Sequence, residues 1–371
     1  MVYPSTIKAP NILLPKSGVD MTRFCVIACD QFTSQVDYWK RLKELIQDSP
    51  STYHMIFPEA YLPLVDKASY ILQINKNIQT YLQNNILVEQ GECFILVERS
   101  TPYTKKRLGL MISVDLDAYT YEKGLRTPIR ATEATILDRI PPRLQIREHA
   151  PIELPHTLLL IDDPDKTVIE ALYKKRNSFE KIYDFELNSG GGHLKGYKIC
   201  DTDPVIKALY ALTKGNPLDL LFVVGDGNHS LATAKAHWEI IKKGLSKEEQ
   251  IHHPARYSLV EVENLYDDGL TFEAIHRIVF HAGDDFIPGL KSCVKGEDLS
   301  YLYSKEHGQE YYPIPHSGPM TYKLIQDYID TYIQNNPATK VDYIHGSDHL
   351  IEVADHHGGI AIHMPALTKS D

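Results

Sequence analysis

The chain has 371 residues and a mass of 42.2 kDa, and its 39 basic and 49 acidic side chains leave a formal charge of −10. Hydrophobic residues at 43 % and charged residues at 24 % are globular proportions, which exclude a disordered chain or a collagen-like repeat. A pI near 5.9 supplies no general field for capturing nucleic acid, and no run of about 18 apolar residues marks a membrane span. At roughly 150 residues per domain, the length predicts two domains, or one large one with insertions. Residues 1–18 hold three prolines and no continuous apolar stretch, so they do not read as a signal peptide. Cys25, Cys29, Cys93, Cys200 and Cys293 are odd in number and contain no C-x-x-C pair, which fits a reduced cytoplasmic protein.

A short strand is predicted at Phe24–Cys29. Helices follow at Val36–Gln47 and Ala68–Leu82, where apolar residues recur at helical spacing. Cys93–Glu98 and Leu108–Val114 read as a hairpin around the polar turn Ser100–Thr104. Leu158–Ile161 is a short apolar strand, Pro164 opens a helix, and Leu220–Val224 is a buried strand. The Gly-rich stretch Asn188–Gly196 is a hinge or loop. A helix near Tyr322–Gln334, a strand at Val341–Ile344 and a closing strand at Gly359–Met364 complete the chain. The class is mixed α/β, divided for this reading into an N-terminal region of residues 1–150 and a second region of residues 151–371.

The segment richest in chemistry is Gly225-Asp226-Gly227-Asn228-His229-Ser230, between the apolar strand and a helix at Leu231–Lys243 that Gly244 closes. Two glycines bracket an aspartate, and Ser230 is a credible N-cap. Tight glycine turns present N–H groups, and a helix N-terminus adds its positive dipole end, so the segment suits an anion such as phosphate. It is neither a Walker loop nor a G-x-G-x-x-G fingerprint. By itself it is equally an ordinary strand-to-helix turn with a capping serine.

The same string resembles the D-G-x-H-R loop of the ParB/sulfiredoxin-like superfamily. More of the chain resembles the bacterial domain-of-unknown-function-1015 family. The matching strings are Ile129-Arg130-Ala131-Thr132-Glu133, Arg139-Ile140-Pro141-Pro142-Arg143, Ile152-Glu153-Leu154-Pro155-His156, Ile161-Asp162-Asp163-Pro164, Gly190-Gly191-Gly192-His193, His253-Pro254-Ala255-Arg256-Tyr257 and Ile275-His276-Arg277. They run in order from about Phe24 to the closing strand. Ser230 stands where the superfamily carries an arginine, so either a different cation balances a bound phosphate or the loop's role has changed. The resemblance implies a ParB/sulfiredoxin-like core with N- and C-terminal elaborations. It also implies nucleotide chemistry, since relatives use CTP, ATP or ADP and some phosphorylate free serine.

Phosphoryl transfer needs cations around the phosphates and a carboxylate to orient or deprotonate the attacking hydroxyl. Asp226 is the candidate base and Mg²⁺ ligand, His229 a hydrogen-bond donor to phosphate, and Gly225, Gly227, Asn228 and Ser230 the phosphate cradle. Arg130 is proposed to replace the missing loop arginine, with Glu133 as the second candidate base and Arg139 and Arg143 on the substrate. The plainer alternative is a solvated helix with Glu–Arg pairs, each contributing about 0.3–0.5 kcal/mol. His276 and Arg277 are candidates for a substrate carboxylate, unless the arginine pairs with Glu261 or Glu263. Asp30-Gln31, placed just after the first predicted strand, is a weaker substrate-site candidate. The C-terminal histidines, with His345 and His349 at a spacing that one helical face would allow, read as surface and capping groups.

The leading expectation is a nucleotide-dependent phosphotransferase acting on a small hydroxyl metabolite, free serine first, with ATP or ADP and Mg²⁺. A phosphatase of a compound such as phosphoserine needs the same cradle. A nucleotide-gated binding module of the ParB type is the third reading, and the charge of −10 argues against DNA as its partner. Oligomeric state stays open, a homodimer included.

Overall fold

The computed structural model describes residues 6–33, 35–122, 125–132, 140–154, 156–213, 220–270 and 274–368. Two compact units divide at Leu270 and Thr271. The expected division near residue 150 therefore falls inside the first unit.

The first unit begins with β1 (Ile7–Lys8), β2 (Asn11–Pro15) and the helices α1 (Met21–Phe24), α2 (Val36–Ile46) and α3 (Lys67–Gln83). Trp39, Leu42 and Ile46 bury one face of α2, and Ile74, Ile78 and Tyr81 bury one face of α3, which starts at the Asp66 cap on the Ser69 N–H. No strand forms at Phe24–Cys29, contrary to the apolar pattern. Ser51 and Thr52 hydroxyls donate to the Phe24 carbonyl, the Val26 N–H donates to Thr52 Oγ1, and the Asn188 amide donates to the Thr22 and Cys25 carbonyls. Side chains thus satisfy the backbone groups that a ladder would otherwise have used.

The next elements are β3 (Leu87–Glu92), β4 (Phe94–Ser100), β5 (Arg107–Asp115), β6 (Tyr119–Thr120), β7 (Ile129–Arg130), α4 (Ile140–Arg147), β8 (Leu158–Ile161), α5 (Ile169–Lys174), β9 (Glu180–Glu186) and β10 (His193–Ile199). They are followed by α6 (Asp203–Ala211), β11 (Phe222–Asp226), α7 (Asn228–Lys242), α8 (Lys247–His252) and β12 (Tyr257–Asn264). Ten strands form one sheet in the order β6-β7-β11-β8-β12-β5-β4-β10-β9, with β1 alongside β5, while β2 and β3 pair separately. The predicted β4–β5 hairpin is present, its turn held by Thr101 Oγ1 accepting the N–H groups of Tyr103 and Thr104. Alternation along the strands sends Phe94, Leu96, Leu110, Leu159 and Phe222 into the main core, where Leu231 and Trp238 of α7 also lie.

Three local expectations change here. Asp163 accepts from Thr167 Oγ1 and the Val168 N–H, so the chain turns after Pro164 and α5 begins only at Ile169. Asn188–Gly196, expected as a hinge or loop, is a loop as far as Gly192, closing the β9–β10 hairpin, and strand β10 from His193 on; a Cβ on Gly192 would stand 1.8 Å from the Ser100 carbonyl oxygen. Ser230 does not cap α7, because the helix starts two residues earlier with Gly227 in the cap position at φ 82°. That left-handed conformation is one glycine adopts without strain.

The second unit contains β13 (Ile275–Phe280), α9 (Phe286–Cys293), β14 (Asp298–Ser304), β15 (Gly308–Ile314), α10 (Gly318–Asn335), β16 (Lys340–His345), α11 (Ser347–His357) and β17 (Ile360–Ile362). Its antiparallel sheet has the order β15-β14-β17-β13-β16. Val279 and Ile362 share a core with Phe286 of α9 and Ile325 of α10, and the alternating Ile278 and Ala361 meet Leu350 and Ala354 of α11. His345 ends a strand and His349 lies in a helix, so the two do not share a helical face. No helix among the described residues is long and apolar enough to cross a membrane.

Candidate functional site

The turn from β11 into α7 is built as the glycine pattern requires. Asp226 is exposed, and its Oδ1 accepts the Gly227 N–H at 2.7 Å. The first intrahelical bond runs from the Leu231 N–H to the Gly227 carbonyl, so the N–H groups of Asn228, His229 and Ser230 precede it at the positive end of the helix. Thr132 ties the turn to the segment after β7: its hydroxyl donates to the Val224 carbonyl at 2.6 Å and accepts from the buried Asn228 amide at 3.3 Å. A Cβ on Gly227 would meet Thr157 at 3.0–3.3 Å on top of the left-handed strain. Gly227→Ala is expected to cost about 1–2 kcal/mol in a urea melt, and an unchanged midpoint would show that the turn relaxes freely.

Beside this turn lies a cavity of about 390 Å³ within the first unit. Its walls come from residues 25–29, the 52–59 turn, α3, α4, Ala150, residues 152–154 and His156, and Ser230 and Thr233 in the first turns of α7. Two ion pairs and one longer histidine–carboxylate approach stand at it. Arg143 is ion-paired with Glu59, Arg147 Nη1 lies 2.8 Å from Glu153, and His156 Nε2 lies 3.9 Å from Asp30. Glu153 is also held in place by the Ser258 hydroxyl and the Leu259 N–H. Asp30 Oδ1 is buried without a hydrogen-bond partner, a condition that costs about 1–3 kcal/mol, while His156 faces the other oxygen, Oδ2. Burial pushes the Cys25 and Cys29 thiols up to about 12, with Asp30 and Glu59 adding to the effect at Cys29, so both walls are protonated and weakly polar at neutral pH.

The cavity brings together Arg143, Ser230 and His156, with Asp30 behind the histidine. Asp226 and Arg130 do not line it. Arg130 sits opposite Val223 in the parallel β7–β11 register, and its Nε donates to the Thr127 carbonyl at 3.0 Å. His229 stays on the turn, its carbonyl accepting from Thr233, and Gly225 packs against Leu160. Glu133 and Arg139 lie outside the described residues. His276 and Arg277 belong to the second unit and serve its packing. His276 Nδ1 accepts the Met364 N–H at 3.0 Å and its ring stacks on His363, while Arg277 donates to Gln326 and lies over the rings of Tyr322 and Tyr343. Glu263, one of the two carboxylates weighed as an alternative partner for Arg277, pairs with Arg107 at 2.7 Å. Sequence reasoning passed over His156, Glu153 and Glu59. The first two stood in a quoted family string, but nothing in their spacing showed that they and α4 wall the same cavity.

Among the described residues no three His, Cys, Asp or Glu side chains form a metal-binding group. Asp226, with one oxygen on the Gly227 N–H, offers a single carboxylate at the turn. One carboxylate is too few to cage a divalent cation, which takes roughly six or more oxygen ligands.

No functionally curated protein matches the chain. Among solved structures, a conserved hypothetical protein from Pyrococcus furiosus is similar over 70 % of this chain and 82 % of its own, with 10 % identity and a TM-score of 0.36. With residues 13–332 matching its pattern, the chain belongs to the family described as Protein of unknown function (DUF1015).

Proposed function

We propose that the protein is a nucleotide-dependent phosphotransferase acting on a small hydroxyl compound, built on a ParB/sulfiredoxin-like core and working in the reducing cytoplasm. The observation that carries this reading is that Ser230 and Thr233 at the start of α7 wall the same cavity as His156 and Arg143. The turn from Gly225 to Ser230 would hold the nucleotide phosphates at the helix N-terminus, with Arg130 and His229 as further donors. His156, oriented by Asp30, would take the acceptor hydroxyl proton as its oxygen attacks the terminal phosphorus and the shortened nucleotide departs. Arg143 would orient the acceptor. Mg²⁺, held by Asp226 and the phosphates, supplies charge neutralisation when bound.

A thermal-shift panel crossing ATP, ADP, CTP and GTP with Mg²⁺ against serine, threonine and phosphoserine tests the reading. A ligand at 100 times its Kd stabilises by about 2.7 kcal/mol, which moves the melting temperature visibly. The expected result is a shift with one nucleotide that an acceptor increases, and Asp226→Asn should reduce the nucleotide-dependent part. Stabilisation by phosphoserine without any nucleotide response would move the assignment to a phosphatase. No response to any nucleotide would remove phosphoryl transfer altogether.

A further inference from the structure

Each element of the cavity wall contributes its own kind of surface. α3 presents only Ile74 and Ile78, and the adjoining turn presents Met55, Ile56 and Phe57. Ile74 and Ile78 are themselves 4 % and 1 % exposed and form a packed floor with Met55 and Phe57, while the half-buried Ile27, Ile56, Ile146 and Ile152 present apolar surface to the cavity. The segment 25–29 adds Val26, Ile27 and Ala28 between two protonated thiols. Charge enters from other elements: Arg143 and Arg147 of α4, Glu59, Glu153 and His156. Arg143 and Arg147 each already have a carboxylate partner, so those pairs add no net charge to the cavity. A cavity of about 390 Å³ falls in the range of about 300–1,000 Å³ that holds drug-sized ligands. A small zwitterion such as serine would leave the isoleucine wall to water, which needs two to four polar partners that this wall does not provide.

We infer that the acceptor at this site is a hydroxy acid with an apolar tail of several carbons, its tail against Ile27, Ile56, Ile146 and Ile152 and its polar end among Arg143, His156 and Ser230. This rests on the phosphotransferase reading for the word acceptor, and on the cavity alone for the chemistry of the occupant. In that orientation the hydroxyl lies toward His156 and the carboxylate toward the α4 guanidinium groups.

The test is calorimetric titration of the full chain with straight-chain 2-hydroxy acids of three to eight carbons and with L-serine, each with and without Mg²⁺ and the nucleotide that gives the largest thermal shift. Affinity is expected to rise about fourfold for each added methylene, so the eight-carbon member, five methylenes longer, should bind up to about a thousandfold tighter than the three-carbon one, and tighter than serine. Ala28→Leu, which fills the wall, should weaken the eight-carbon acid about tenfold and leave the three-carbon acid unchanged. A flat series, no binding by any member, or serine as the tightest ligand would overturn the inference. A chain-length slope without a nucleotide response would sustain it and remove the phosphotransferase reading. A nucleotide response with a flat series would do the reverse.

Discussion

Replacing His156 with alanine is expected to lower turnover by about 10²–10⁴-fold, the contribution of a positioned proton acceptor. The residue lies on the cavity wall in the segment that follows α4, and its charged partner is Asp30 at 3.9 Å. That pairing is too long to anchor the fold, so the melting temperature should stay near that of the parent. Asp30→Asn tests the arrangement behind the imidazole. If Asp30 acts by positioning the ring, kcat falls while KM holds, because the substrate touches His156 and not Asp30. An Asp30→Asn enzyme with a raised KM and an unchanged kcat would place the aspartate on the substrate instead. A His156→Ala enzyme within about threefold of the parent would remove the dyad from the chemistry and return attention to Asp226.

The second large effect concerns stability. Glu261 and Glu263 are two apart on β12 and point to the sheet face opposite the main core, beside Arg99 and Arg107. Glu263 is fully buried, and burial pushes its carboxyl up to about 8 despite the Arg107 guanidinium at 2.7 Å, with Glu261 adding repulsion. Burial likewise raises Glu261. In the unfolded chain both titrate near the usual carboxylate range of about 4.3. Between those limits the folded state holds protons that the unfolded state has released, so stability falls as pH rises from about 4.5 to 8. Urea melts at pH 5, 6.5 and 8 should show a loss of a few kcal/mol across that window. Glu263→Gln, which keeps the shape and abolishes the titration, should flatten the slope and gain most at pH 8. A parent protein whose stability rises over this range would show that Arg107 and Arg99 hold both carboxyls ionised.

The helices were legible wherever one face is continuously apolar. Trp39, Leu42 and Ile46 in α2 and Ile74, Ile78 and Tyr81 in α3 carry their periodicity in the chain itself. The β4–β5 hairpin was legible for the same reason, with two apolar runs around a polar turn. Phe24–Cys29 misled because an apolar run also serves a cavity wall. The groups that replace its ladder, Ser51, Thr52 and Asn188, lie about 27 to 163 residues away. Arg143 and Ser230 were nominated and do meet at the cavity, whereas Arg277 was nominated and is committed to Gln326 and two tyrosine rings.

The chain by itself determined its class, its larger helices, the hairpin and the glycine turn into α7, because each depends on spacing within a few residues. Family membership was legible too, since it resides in ordered strings of residues. Only the tertiary structure decided where a ligand would sit. Asp30, Glu59, Arg143, Glu153, His156 and Ser230 are scattered over two hundred positions, and no local rule relates them. They converge because α3, α4 and the start of α7 bury their apolar faces around one gap, and packing, which is non-directional and long-range in sequence, leaves no periodic trace.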